Sequence, residues 1–468
     1  MCACTVPLAP GYRIQKESLE VQFVSGQPPE LHVRARFTLQ NSGTSALTFV
    51  DVALPDEKLI GRKKLRVEVD GRENTLTNLP AEFQAEAPNT HRLPLDVPWR
   101  QEETRECAIE YVLSSPEDSG TRITIGENSF HLGSRGWLAR LLPPKRMFAP
   151  YPRRPDRTIY TVRVPADFVV LARGTLAGRK QEGGEVEYRF ELLKEDLLPF
   201  IVAGHYVEPT APHKRASAVF WTLQPLKEDP GLAEERIAAA WAILQTDFGP
   251  LDKNIRVPHV VESPELRVRR ENEADPAFAS FPGGVLINPA ALALGLRNED
   301  FLERVIHSLA HNWFGDEMFP NDGAAVGMGE GLPEYATIVI DEARNGEAAR
   351  QSRIIEFLRR YDEARKGAVE KPLAVTTMLD PPEQRRIGLA KAPLFLVALE
   401  DACGEAPMRA GLAHLVALLR GQEVGFDDLR AALEQSTGKN LAETFRVWLN
   451  EKGIPAEFRD RYEGRRGE

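Results

Sequence analysis

The sequence predicts a multi-domain α+β protein: an antiparallel β domain over residues 18–209, followed by a mainly helical domain over 210–456. Two observations carry this. Leu31, Val33, Ala35, Phe37 and Leu39 alternate with His32, Arg34, Arg36, Thr38 and Gln40, the period-two pattern of a half-buried antiparallel strand. Beyond residue 230 the apolar residues instead recur at helical spacing, as in Leu232, Ile237, Trp241 and Leu244. A chain of 468 residues, 42% hydrophobic and 27% charged, is long enough to bury two or three cores.

In the first half, Leu65, Val67 and Val69 form another alternating run before an Asp70-Gly71 turn. Further strands are predicted at 159–164, 168–171, 186–190 and 200–207, separated by Gly, Pro and Asp clusters. Residues 143–157 are rich in Pro and Arg and read as a solvated connection stiffened by proline. A junction near 208–216 leads into the helical half. The run 230–248 stops at Gly249-Pro250, and strands follow at 255–261 and 283–287. Asn298 is suited to cap a helix whose first turn holds Glu299 and Asp300. Leu302, Val305, Ile306, Leu309 and Trp313 give that helix its buried stripe. A helix from Glu330 stops at Asn345-Gly346, and more are predicted near 347–366, 386–402, 407–420 and 427–451. Residues 1–17 read as a terminal tail or linker and 457–468 as a charged tail.

The net charge of -10 provides no broad cationic field, which argues against nucleic acid as the main partner. No stretch has the roughly 18 consecutive apolar residues needed to span a bilayer, so the chain as written reads as soluble, without a transmembrane segment. Cys2 and Cys4, just before Pro7, resemble the end of a bacterial lipoprotein signal. If the true start lies upstream, Cys2 or Cys4 would be the lipidated residue of an envelope lipoprotein; the alternative is an N-terminus with incidental thiols. Cys107 and Cys403 do not suggest a disulfide framework.

The chemistry concentrates between Val305 and Tyr335. His307 and His311 stand one turn apart on a helix face, and Glu330 opens the next helix. Two imidazoles and a carboxylate can make the three-ligand set of a catalytic zinc. An i, i+4 histidine pair alone is weak evidence, and packing or surface histidines are the ordinary alternative.

This stretch resembles the aminopeptidase N family of gluzincin zinc metallopeptidases, whose pattern is HExxH, eighteen intervening residues and Glu. The likeness extends to Trp313, Phe314 and Gly315, and to Gly331, Glu334 and Tyr335. The segments 202–206, 247–250 and 445–455 are similar to other parts of the family's first two domains. The resemblance implies a saddle-like β domain, a thermolysin-like peptidase domain, and one zinc ion held by His307, His311 and Glu330. It also implies a peptide or protein as substrate or ligand.

The departures from the family pattern are as informative. Ser308 stands where the family has its general-base glutamate, and a hydroxyl is no base at neutral pH. Leu389, in Gly388-Leu389-Ala390-Lys391-Ala392, takes the place of the tyrosine that stabilises the oxyanion. Ala279, Ser280, Phe281 and Pro282 fall where the family has the glutamate that holds the substrate amine, and none is a carboxylate. Glu271 and Glu273 lie nearby and read as solvated loop charges. Asp316, Glu317 and Glu334 could replace the base only if their phases differed from the family's. The expectation is a zinc-binding homologue that has lost ordinary peptidase activity and keeps peptide or protein binding. The alternatives are an active zinc hydrolase with an altered mechanism and a metal-free structural scaffold.

Overall fold

The computed structural model describes residues 11–55, 61–79, 89–115, 123–133, 136–142, 155, 157–193, 199–207, 218–251, 257–266 and 276–464. Cys2 and Cys4, nearly all of the Pro- and Arg-rich connection, the junction at 208–216, and Glu271 and Glu273 lie outside these residues.

The N-terminal half is built of sheets, as its alternation predicts. An eight-stranded sheet runs in the order Thr175–Glu182, Glu185–Leu193, Arg157–Pro165, Tyr12–Val24, Glu30–Asn41, Thr104–Ser114, Gly61–Val69, Arg72–Asn74. Its pairings are antiparallel except that Tyr12–Val24 runs parallel to Arg157–Pro165. Leu31, Val33, Ala35, Phe37 and Leu39 all point into the core. Asp70 and Gly71 both have positive φ, 49° and 74°, as a two-residue hairpin turn requires. Two four-stranded sheets close the same apolar core, which includes Trp99, Trp137 and Phe130. The expected tail at 1–17 is corrected here: residues 12–17 already belong to the first strand, where Tyr12 is buried and the backbone pairs with residues 37–41.

The second half combines a small mixed sheet with ten helices among the described residues. Val219–Trp221, His259–Glu262 and Gly284–Ile287 run parallel, and Phe278–Phe281 pairs antiparallel along the edge. The helices are α1 (Gly231–Phe248), the single turn α2 (Pro289–Leu292), α3 (Glu299–Ala310), α4 (Gly331–Asn345) and α5 (Glu347–Arg365). They continue with α6 (Pro382–Cys403), α7 (Glu405–Leu418), α8 (Phe426–Thr437), α9 (Ala442–Asn450) and α10 (Ala456–Glu463).

Asn298 caps α3 as predicted, its side chain accepting from the Asp300 N–H at 2.8 Å. Two expectations differ from the fold. The single helix predicted over 427–451 is split into α8 and α9 by Gly438, whose φ of 66° puts it in the left-handed region that ends a helix. The charged tail predicted at 457–468 begins with α10, because Phe458 and Tyr462 lie four apart and bury one face against the core.

The halves share an apolar junction. Phe200, Val202 and Tyr206 of the β half cluster with Val261, Leu266, Phe281 and Leu286 of the helical half. The Tyr206 hydroxyl donates to the Glu262 carbonyl at 3.1 Å. Across the same junction the buried Arg173 guanidinium faces Glu317 at 3.5 Å. Burying apolar surface on both sides stabilises one relative orientation, so the β half supports the elements of the candidate site directly.

Candidate metal centre

The site grows out of the end of α3. Its stripe of Phe301, Leu302, Val305, Ile306 and Leu309 is buried against the core. That leaves His307 and His311 one turn apart on the neighbouring face, with ring centroids 4.9 Å apart. His311 ends the regular helix. The chain then bends at Phe314, where φ is −111° and ψ is 49°. Trp313 and Phe314 hold the bend by packing edge-on against Trp241 and Phe248 of α1, each pair at 5.0 Å. The Trp313 indole donates to the Gly249 carbonyl at 2.8 Å. These two aromatics are therefore core residues that aim the last turn of α3.

Glu330 comes from the cap of α4 and completes the cluster. The Nε2 atoms of His307 and His311 are 3.2 Å apart, and Glu330 Oε2 lies 3.7 and 3.6 Å from them. Four-coordinate zinc with ligands at about 2.1 Å places its donors roughly 3.4 Å apart, so this triangle has the size and the atom types for zinc. It is the one group of three or more His, Cys, Asp or Glu side chains with metal-ligand spacing among the described residues.

The electrostatics favour a cation in the same place. Burial pushes the His307 imidazole down, but the Glu330 and Glu334 carboxylates outweigh it and raise the group to about 10. Burial would raise Glu330, yet the two imidazoles hold it well below the usual carboxylate range. Glu334 is also lowered, burial being offset by its contact with His307. Its Oε1 sits 3.5 Å from His307 Nδ1. A carboxylate behind a ligating imidazole fixes the ring and its tautomer. Glu334 was a sequence match without an assigned place, and its spacing one turn after Glu330 is the signal for this one.

The positions expected to be catalytic carry a serine, a leucine and no carboxylate. Ser308 is buried on α3 between the two histidines. Leu389 is half-buried on α6 and lines a cavity of about 530 Å³ together with Glu334. The edge strand that should bring an amine-binding carboxylate carries Phe281, fully buried against Phe200 at 5.4 Å. Asp316 and Glu317 are buried as well, and Glu317 is held between Arg173 and Arg420, so it does not serve as a base at the cluster.

Two structural roles were not legible in the sequence. Asn312 accepts from the Gly283 N–H and donates to the Gly284 carbonyl, clamping the end of α3 to the turn between Phe278–Phe281 and Gly284–Ile287. Lys391, buried two residues beyond Leu389, donates to the Glu451 carbonyl at 2.7 Å and faces Glu370 at 3.3 Å. Glu370 also accepts from Tyr361 and from the Gly453 N–H. These bonds moor α6 to the chain at 451–453.

Residues 282–448 match the peptidase family M1 domain. No curated protein sequence matches the chain. Among solved structures, an M1 zinc metallopeptidase from Deinococcus radiodurans is similar with a TM-score of 0.65 at 19% identity, with 96% of each chain covered. A mutant of that protein bound to a Tyr-Ser-Ala substrate gives a TM-score of 0.63 at 19% identity, again over 96% of both chains. A two-domain M1 zinc metallopeptidase mutant bound to L-arginine gives 0.64 at 18% identity over 95% of both. At this identity the likeness shows the fold: a β-rich N-terminal domain followed by a helical M1-type peptidase domain, over nearly the whole chain.

Proposed function

We propose that this chain is a two-domain member of the M1 zinc metallopeptidases, of the aminopeptidase N type, that binds one zinc ion through His307, His311 and Glu330 and has lost ordinary peptidase chemistry. The observation that carries the reading is a complete three-donor triangle on a helix whose base position, between the two histidines, holds only the Ser308 hydroxyl.

When bound, zinc supplies Lewis-acid polarisation of a ligand carbonyl. The chain's own residues then do less than in a working peptidase. Glu334 orients His307. Ser308 cannot take a proton at neutral pH, and a missing acid/base group lowers rates by about 10²–10⁴. Leu389 offers no hydroxyl to a developing oxyanion, and Phe281 offers no charge to a substrate amine. What remains is a cleft with a metal frame, suited to holding a peptide or protein rather than cutting it. The peptide and the amino acid bound by the similar structures support that ligand class.

Purified protein is expected to contain about one zinc per chain and to hydrolyse aminoacyl reporter substrates no faster than a His307→Ala variant. Metal-dependent turnover clearly above that control would replace this reading with an active hydrolase of altered mechanism. Absence of zinc after exposure to the metal would leave a metal-free scaffold.

A further inference from the structure

The cavity beside the cluster carries a second chemical feature. Glu334 forms part of its wall while touching His307 at Nδ1, so the cavity lies one side chain away from the triangle of donors. The rest of the wall comes from α5 and α6 and includes Phe357, Arg359, Arg360, Arg386 and Leu389. Three arginines from two helices thus surround one space of about 530 Å³. Arg360 is occupied, bonded to Glu356 and lying over the Phe357 ring at 5.2 Å. Arg359 and Arg386 are exposed, and neither side chain makes an ion pair or hydrogen bond with the described residues, Arg359 acting on the Glu363 carboxylate only through space. Of the acidic residues in the wall, Glu334 is held by His307 and Glu363 pairs with Lys366 at 2.6 Å. Glu383 remains on the same rim.

Guanidinium groups bind carboxylates through two parallel N–H donors, and two uncommitted ones facing a single cavity are arranged for such a group. The edge strand has no carboxylate with which to hold an amine: its residues are Phe278, Ala279, Ser280 and Phe281. The charge that can fix a peptide's orientation therefore sits on the α5–α6 side.

We propose that Arg359 and Arg386 form a subsite for the terminal carboxylate of a short peptide, so that this protein recognises its ligand by the carboxyl end rather than the amino end. The inference rests on the peptide-binding reading and deepens it. Leu389 and Phe357 give the carboxyl-terminal residue an apolar wall, and Arg360 adds positive potential without leaving Glu356.

The test is calorimetric binding of Tyr-Ser-Ala, its carboxyl-terminal amide and its N-acetyl form to the zinc-loaded full chain. The free acid is expected to bind at least tenfold more tightly than the amide, while N-acetylation changes affinity less than threefold. The Arg359→Ala/Arg386→Ala variant is expected to bind acid and amide alike with its zinc content unchanged. Equal affinity for acid and amide on the native chain would overturn the subsite while leaving peptide binding intact. Binding of none of the three overturns peptide binding and the subsite together, and the zinc measurement then stands alone. Inorganic phosphate displacing the peptide at concentrations below the peptide's own dissociation constant would show a general anion site and also overturn the assignment.

Discussion

The two walls of the cleft have been treated differently. The wall made by α3 and α4 brings together the three donors proposed for zinc and braces the two histidines: Trp313 and Phe314 anchor the turn, Asn312 clamps it to the sheet, and Glu334 backs His307. Two positions that the family resemblance marks as catalytic, Phe281 on the edge strand and Leu389 on α6, are apolar, and the position between the histidines holds Ser308. Yet α6 itself is as firmly moored as α3, through Lys391, Glu370 and the chain at 451–453. The difference is therefore one of chemistry on an intact frame. A frame can be stabilised by packing alone, whereas catalysis requires specific titratable atoms at specific places.

The comparison can be broken by placing a carboxylate at position 308. Ser308→Glu is expected to raise metal-dependent hydrolysis of an aminoacyl reporter by about 10², the low end of the 10²–10⁴ range for such a group, because Leu389 still gives no oxyanion donor. Adding Leu389→Tyr should raise the rate further. No gain in either variant, with zinc bound, would mean that the frame itself is distorted.

The frame can also be attacked from behind. Trp313→Ala opens the contact with Trp241 and is expected to cost about 3–5 kcal/mol of unfolding free energy in urea, together with zinc retention. A loss below 1 kcal/mol would show that the aromatic pair does not hold α3. Glu334→Gln leaves the packing in place and should weaken zinc affinity by about 10–100-fold in chelator competition. Unchanged affinity would remove Glu334 from its role behind His307.

The smallest effect concerns the sheet beneath the Asn312 clamp. His259 pairs in register with Gly284 and accepts a hydrogen bond from the Trp221 indole at 3.0 Å. Burial lowers its pKa to about 4. The fold thus keeps it neutral, while the unfolded chain protonates it near pH 6.5. Its full contribution is present above pH 6.5 and is lost as pH falls from there towards 4. His259→Gln should remove about 1–2 kcal/mol of that acid-side loss, after allowance for partial exposure. Identical pH profiles of urea stability for the two proteins would refute this.

Much of this was legible in the chain itself. Period-two alternation at 31–39 and the Asp70-Gly71 turn specify strands because side chains on a strand alternate between water and core. Asn298 and the stripe after it specify α3 because one face must be apolar and its first N–H groups need an acceptor. The i, i+4 histidines and Glu330 show in sequence because helical periodicity is local. Ser308 and Leu389 show as departures for the same reason, each standing at a fixed offset from a recognisable neighbour.

What the sequence could not decide is whatever depends on contacts between distant residues. Residues 12–17 and 456–463 read as polar tails, yet Tyr12, Phe458 and Tyr462 find apolar partners far along the chain and turn those segments into a strand and a helix. Only the tertiary fold brings Glu317 to Arg173 across the junction, which removes it as a candidate base. Likewise, only the packing of α5 beside α6 places Arg359 and Arg386 around one cavity next to His307's partner Glu334. The sequence by itself determined the candidate donors and the departures from the family pattern, since both are matters of residue identity at local spacing. The tertiary structure decided how the donors converge and which charges remain uncommitted, since distance across the fold is set by packing.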